Sequence, residues 1–272
     1  MAQVDIGARE LHVVDRGSGE PLLLIHGLAA THGIWGEPFL AGLADGGLRP
    51  ITYDQRGVGH SGPAHEPFTI ADLADDAVAL IAALGHERVH VLGAAMGGMV
   101  AQELAIRHPL VVASLTLGCT YSGGPGSAIT DRAVIGRYLD AIRSGDVELA
   151  VRTGFEINMS AAAGEREGAY RRYRTLAFAA PAPRSGIVAQ ARATAPHDTR
   201  ARLGDIRAPT LVVHGDRDLM LDVANARQIA ALIPGARLEI LEGVGHVFWM
   251  EQPERSARLV AEHVAAVAVV AE

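Results

Sequence analysis

The stretch Val89-His-Val-Leu-Gly-Ala-Ala-Met-Gly-Gly98 decides how the rest of the chain is read. Val89 to Leu92 is a short apolar run with β-branched residues, and Met96 onward carries a helical pattern to about His108. Between them lies a sharp turn with the frame Gly93-x-Ala95-x-Gly97. Glycines two before and two after its centre let strand and helix approach closely. A side chain at the centre projects clear of the backbone, and the following helix aims its N-terminal amides and partial positive charge at the same point. That architecture suits a reactive side chain, yet position 95 is alanine, which has no nucleophilic atom. Such glycines also recur for packing reasons alone, so the surrounding sequence has to decide.

Working outward, Pro21 to Ile25 is a continuous apolar run, as expected of a strand buried on both faces of a parallel sheet. Val4–Ile6 and Leu11–Val14 read as a hairpin, Trp35–Leu43 as a short helix, and Arg49–Tyr53 as a strand. Ile70–Leu84 reads as an amphipathic helix with Asp72, Asp75 and Asp76 in its first turns and Gly85 as its stop. Val112–Leu117 is the next strand. Strands alternating with helices imply a right-handed parallel α/β sheet. From about Tyr121 to Asp205 the buried-strand runs cease. Arginine-rich helical stretches take their place, near Thr130–Arg143, Val147–Thr153, Glu165–Phe178 and Pro183–Ala193. Strands resume at Pro209–His214 and Arg237–Leu241, with helices at Val223–Leu232 and from Pro253 to about Val267. The expectation is therefore an α/β fold. Residues 1–121 and 206–272 form a mostly parallel central sheet flanked by helices, and 122–205 form an inserted helical cap.

Composition narrows the functional classes. The net charge of −7 argues against a nucleic-acid surface. The single cysteine, Cys119, allows no intrachain disulfide and no cysteine-based metal cluster. The chain contains no lysine, which removes lysine Schiff-base chemistry. Met1–Glu10 shows no secretory pattern, and the apolar run Val264–Ala271 is too short to span a bilayer, so a cytoplasmic protein without membrane partners is expected. A homodimer is compatible with the sequence.

In an open α/β sheet, ligand chemistry gathers at the carboxyl ends of the strands. His26-Gly27-Leu28, Ala95, Asp218 and His246 all fall at such ends. Five motifs run in order: His26-Gly27; Asp54-x-Arg56-Gly57-x-Gly59-x-Ser61; Gly93-x-Ala95-Met96-Gly97-Gly98; His214-Gly215-Asp216-x-Asp218; and Gly245-His246 with Glu251-x-Pro253 behind it. Through them the chain resembles the α/β-hydrolase family over essentially its full length. It looks most like lidded bacterial esterases and lactonases, including those similar to 3-oxoadipate enol-lactonase, with alanine where the family's G-x-S-x-G elbow carries serine.

The resemblance implies roles residue by residue. Position 95 is the nucleophile position, His246 the general base and Asp218 the carboxylate that orients it, with Asp216 and Asp222 as rivals. The amides of Leu28 and Met96 would form the oxyanion hole, which alanine at 95 leaves intact. His26, Gly27, Trp35 and Phe248 are candidate substrate contacts; His26 also reads as a hydrogen-bonded loop residue. Trp35, Phe248, Trp249 and Met250 all read as pocket-wall or core residues. Asp54 and Arg56 read as a structural pair. No metal or organic cofactor is implied. The substrate expected is a small ester or lactone.

Ala95 leaves three readings open. One is a serine hydrolase whose nucleophile has been replaced, so that it binds substrate without turnover. A second is native non-covalent chemistry, with His246 and Asp218 as a base in an elimination, cyclisation or isomerisation. A third is a non-catalytic binder of a small ligand.

Overall fold

A computed structural model describes residues 1–64, 66–128 and 132–270. Its centre is an eight-stranded sheet in the order β1-β2-β4-β3-β5-β6-β7-β8. The strands are β1 (Ala2–Asp5), β2 (Glu10–Asp15), β3 (Glu20–Ile25), β4 (Leu48–Tyr53), β5 (Val89–Ala94), β6 (Val112–Gly118), β7 (Thr210–Gly215) and β8 (Arg237–Leu241). β1 and β2 pair antiparallel, as do β2 and β4; the remaining neighbours are parallel. The helices are α1 (Glu37–Asp45), α2 (Ile70–Ala83), α3 (Met96–Arg107), α4 (Arg132–Ser144), α5 (Val147–Asn158), α6 (Ala161–Gly164), α7 (Ala169–Ala177), α8 (Arg184–Thr194), α9 (Ala224–Leu232), α10 (Phe248–Glu251) and α11 (Pro253–Val270).

The sheet has a core on each face, and strand alternation assigns residues to them. Leu23 and Ile25 of β3 join α2, α3 and α9 residues on one side. Leu22 and Leu24 join α1 and α11 residues on the other. The second core continues into Phe155, Met159 and Tyr173, so α5 and α7 are anchored on the sheet domain by buried aromatic and sulfur-bearing side chains.

Local chemistry sets several boundaries. The start of α2 is a reciprocal capping box, in which the Thr69 side chain accepts from the Asp72 amide and the Asp72 carboxylate accepts from the Thr69 amide. Asp146 caps α5 one way, its side chain accepting from the Leu149 amide. The helix expected over Trp35–Leu43 is instead a 3₁₀ turn at His32–Trp35 followed by α1, because Gly36 sits between them at φ 70°. Likewise the helix expected over Glu165–Phe178 begins only at Ala169. Gly168, at φ 71°, separates α6 from α7. Helices α4 to α8 occupy the segment expected to form the cap. The expected helix start at Thr130 and the residue Ala271 lie outside the described residues. Among the described residues no helix is long and apolar enough to cross a membrane.

Candidate active site

The turn after β5 is held by two close backbone approaches. A Cβ on Gly93 would lie 2.3 Å from the Gly97 carbonyl oxygen, and one on Gly97 would lie 1.9 Å from the Ile25 carbonyl oxygen. Only glycine fits at either position. Ala95, at the centre, adopts φ 53° and ψ −118°, a conformation that costs an L-residue on the order of 1–3 kcal/mol. Hydrogen bonds enforce it: the Ala95 amide donates to the Gly118 carbonyl at 3.0 Å, and the Thr120 hydroxyl donates to the Ala95 carbonyl at 2.7 Å. Ala95 is the one partly exposed residue in the otherwise buried run 89–105. The fold thus strains and opens position 95 while giving it a side chain with no chemistry.

Opposite charges meet at the ends of β7 and β8. His246 Nδ1 lies 2.7 Å from Asp218 Oδ2. Asp218 Oδ1 accepts from the Met220 and Leu221 amides at 2.7 and 3.0 Å, which fixes the carboxylate. His214 Nε2 lies 3.0 Å from the same Oδ2 and also donates to the Leu221 carbonyl at 2.9 Å. All three side chains are buried. Burial pushes the Asp218 pKa up, but the imidazoles of His246 and His214 outweigh it and hold the carboxyl well below its usual range. Burial likewise disfavours a charged His246, yet the adjacent carboxylate prevails, and the His246 pKa stands well above 6.5. With Nδ1 tied to Asp218, Nε2 is the nitrogen of His246 that would accept or return a proton.

The His246 loop is clamped from the inserted helices. The amides of His246 and Val247 donate to the Asn158 carbonyl at 2.9 and 3.2 Å. The buried Glu251 carboxylate accepts from the Gly245 amide at 3.0 Å, the Ser160 amide at 2.7 Å and the Ser160 hydroxyl at 2.6 Å. Cys119, fully buried at the end of β6, touches both His246 and the Ala95 amide, and burial pushes its thiol pKa up.

Gly27 lies against the turn: a Cβ on it would be 3.1 Å from the Ala95 Cβ and 3.9 Å from the Met96 amide nitrogen. Met96 is the first residue of α3, so its amide has no partner within the helix. The neighbouring Ala29 amide is held by the Gln190 side chain of α8 at 2.9 Å. His26 is fully buried. The Gln55 amide donates to its Nε2 at 3.3 Å, and Nδ1 lies 2.9 Å from the Gly27 carbonyl, consistent with a neutral ring that donates from Nδ1. It braces the loop rather than facing a ligand, which corrects its place among the substrate contacts.

One further expectation is corrected, and one alternative left open is narrowed. Asp54 and Arg56 do not pair with each other. Arg56 makes a bidentate pair with Asp76 of α2 at 2.5 and 2.6 Å, while Asp54 receives the His32 and His60 amides. Phe248 is 0% exposed and packs against Gly118, and Trp35, 1% exposed, lies between Phe39 and Trp249. Both are core residues. Trp35 also borders a cavity of about 320 Å³ shared with Trp249, Arg166 and Arg172, whose lining includes neither Ala95 nor His246. A larger cavity of about 760 Å³, lined by α4 and α5 residues, also lacks them. Asp216 shapes the turn, its carboxylate accepting from the Gly243 amide at 2.7 Å, and Asp222 accepts from the Ala224 amide at 2.7 Å. His214 and Glu251 were not anticipated as partners of this site. The spacing His214-x-x-x-Asp218 at a strand end is the one signal that could have found the first.

A parallel-majority sheet with an inserted helical segment, a strained turn after β5 and a His–Asp pair after β7 and β8 defines a hydrolase class. The alpha/beta hydrolase fold family model matches residues 20–253, and the chain belongs to that family. It is 33% identical over 231 residues, 84% of this chain and 85% of the other, to the Variovorax paradoxus protein named "Putative carbamate hydrolase RutD". Among solved structures it is similar to the enol-lactonase of Burkholderia xenovorans LB400, with TM-score 0.81, 26% identity, and 95% and 98% of the two chains covered. It is equally similar to a thermophilic esterase of Thermogutta terrifontis, with TM-score 0.81, 27% identity, and 95% and 94% covered.

Proposed function

We propose that this chain is a carboxylic ester or lactone hydrolase scaffold that binds its substrate and does not turn it over. The observation that carries this reading is the contrast at one point. The turn at Ala95 keeps its strain and its opening to solvent, and the Asp218–His246 pair is fully assembled, yet the residue at the centre has no nucleophilic atom. With serine at position 95, the hydroxyl would attack the carbonyl carbon while His246 Nε2 takes its proton. The Leu28 and Met96 amides would hold the oxyanion. His246 would then return the proton to the leaving alcohol, and a water activated by the same imidazole would release the acid. Helices α4 to α8 would act as a cap that selects the acyl group and limits water. Enol-lactonase and esterase neighbours support a carbonyl ester, and the relatives named for carbamate hydrolysis add a carbamate to the candidates.

Calorimetry of the chain as it stands, with a panel of short acyl esters, lactones and carbamates, tests the proposal. Saturable binding of an intact ester or lactone with no product released is expected. An acyl-enzyme detected by mass spectrometry would overturn it. Turnover by an elimination or isomerisation would instead assign His246 to base chemistry without a covalent step.

A further inference from the structure

Three imidazoles converge beside β2 and the end of β4, on residues that take no part in the site above. His12 lies on β2, His32 opens the 3₁₀ turn after β3, and His60 sits in the loop after β4. The antiparallel pairing of β2 with β4 gathers them. The Asp54 amide donates to the His12 carbonyl at 2.9 Å, and the His12 amide donates to Ser61 Oγ at 2.8 Å. Ring centroids are 5.0 Å apart for His12 and His32, 4.9 Å for His12 and His60, and 6.2 Å for His32 and His60.

Asp54, 0% exposed, lies beneath the rings. Its Oδ1 accepts from the His32 amide at 2.7 Å and lies 2.9 Å from His32 Nδ1, and its Oδ2 accepts from the His60 amide at 2.8 Å. His12, His32 and Asp54 each present one ligand atom, all within 4.8 Å of one another. His12 Nε2 is buried and has no hydrogen-bond partner among the described residues. A hydrogen-bonded histidine network accounts for His32 and Asp54 but leaves that nitrogen unexplained.

We propose that His12, His32 and Asp54, with His60 as a fourth donor, form a binding site for a divalent transition-metal ion of the zinc class. Two or three imidazole nitrogens and one carboxylate oxygen match zinc, cobalt or nickel, whereas calcium and magnesium take oxygen ligands. Metal–ligand distances of about 2.0–2.1 Å put tetrahedral ligand atoms roughly 3.3 Å apart, closer than the 4.8 Å that bounds the three ligand atoms, so binding would draw His12 and His32 inward and swing in the exposed His60. The ion would tie the loop after β3, which continues from Leu28, to the loop after β4. Its role is structural, and it stands independently of the hydrolase reading.

Tag-free, chelator-treated protein titrated with Zn²⁺ by calorimetry, and with Co²⁺ by absorption, tests the site. One saturable equivalent is expected, with proton release, a higher melting temperature and a tetrahedral cobalt spectrum. His12→Gln should weaken binding by more than the ~100-fold that losing an outer partner costs, and should abolish the thermal shift. His60→Gln, at an exposed position, should weaken it by about 10-fold, and the surface control His108→Gln should leave it unchanged. Absence of saturable binding, or binding that survives both His12→Gln and His60→Gln with unaltered affinity, overturns the proposal.

Discussion

Replacing Asp218 by asparagine keeps the side chain's shape and removes its charge. Its Oδ2 lies 2.7 Å from His246 Nδ1, with both groups buried. With charge centres roughly 4 Å apart and an effective dielectric near 20, the pair is worth about 4 kcal/mol. That corresponds to a ~10³-fold change in the protonation equilibrium of the imidazole. Burial is the largest influence on His246 and opposes its charge, so without Asp218 the imidazole should titrate below 6.5. The stability profile should invert with it. In the present chain the raised His246 pKa contributes stability that is complete below about pH 6.5 and lost as pH rises through the folded value. The lowered Asp218 pKa contributes stability present above about pH 3.9 and lost as pH falls through the folded value. The same ion pair therefore stabilises most between roughly pH 4 and 6.5. In Asp218→Asn, stability should instead fall as pH drops below about 6.5, because a buried imidazole must then acquire charge without a partner. An NMR titration of ¹⁵N-labelled histidine reads the first effect, and denaturant melts near pH 5 and pH 8 read the second. A His246 titration that stays above 6.5 in the variant refutes the reasoning.

Glu251→Ala leaves the buried Gly245 and Ser160 amides without their acceptor, and at ~1–3 kcal/mol each should cost roughly 2–6 kcal/mol in urea melts. Gly97→Ala drives a Cβ to 1.9 Å from the Ile25 carbonyl oxygen, and its loss of stability should far exceed the ~1 kcal/mol that alanine contributes to helix propensity. In an Ala95→Ser background, hydrolysis should rise with pH through the elevated His246 pKa, since only the neutral imidazole accepts the hydroxyl proton; a pH–rate profile already flat near pH 6 would contradict this.

The sheet and the turn after β5 were legible because their signals are local. The apolar run of β3 is buried, and the glycine frame around Ala95 is demanded by contacts of 2.3 and 1.9 Å. What escaped depended on pairings distant in sequence. Arg56 finds Asp76 across α2 rather than Asp54 two residues away, because the loop after β4 turns toward that helix. Glu251 meets Ser160 across 91 residues, so nothing near either position announced that the inserted helices hold the His246 loop. The three histidines beside β2 and the end of β4 are scattered over 48 positions and are gathered by the antiparallel register of β2 with β4, which a reading centred on parallel strands does not supply. The short helix α10 went unseen because four residues carry too little periodicity to register.

Under the proposed function, a single missing hydroxyl separates this chain from a working hydrolase. A paired assay of the chain and its Ala95→Ser variant on short and medium acyl esters, lactones and carbamates tests it most directly. Serine should raise turnover on at least one substrate by roughly 10⁴-fold or more. A folded Ala95→Ser protein that hydrolyses none of them would contradict the account and leave His246 and Asp218 to other chemistry.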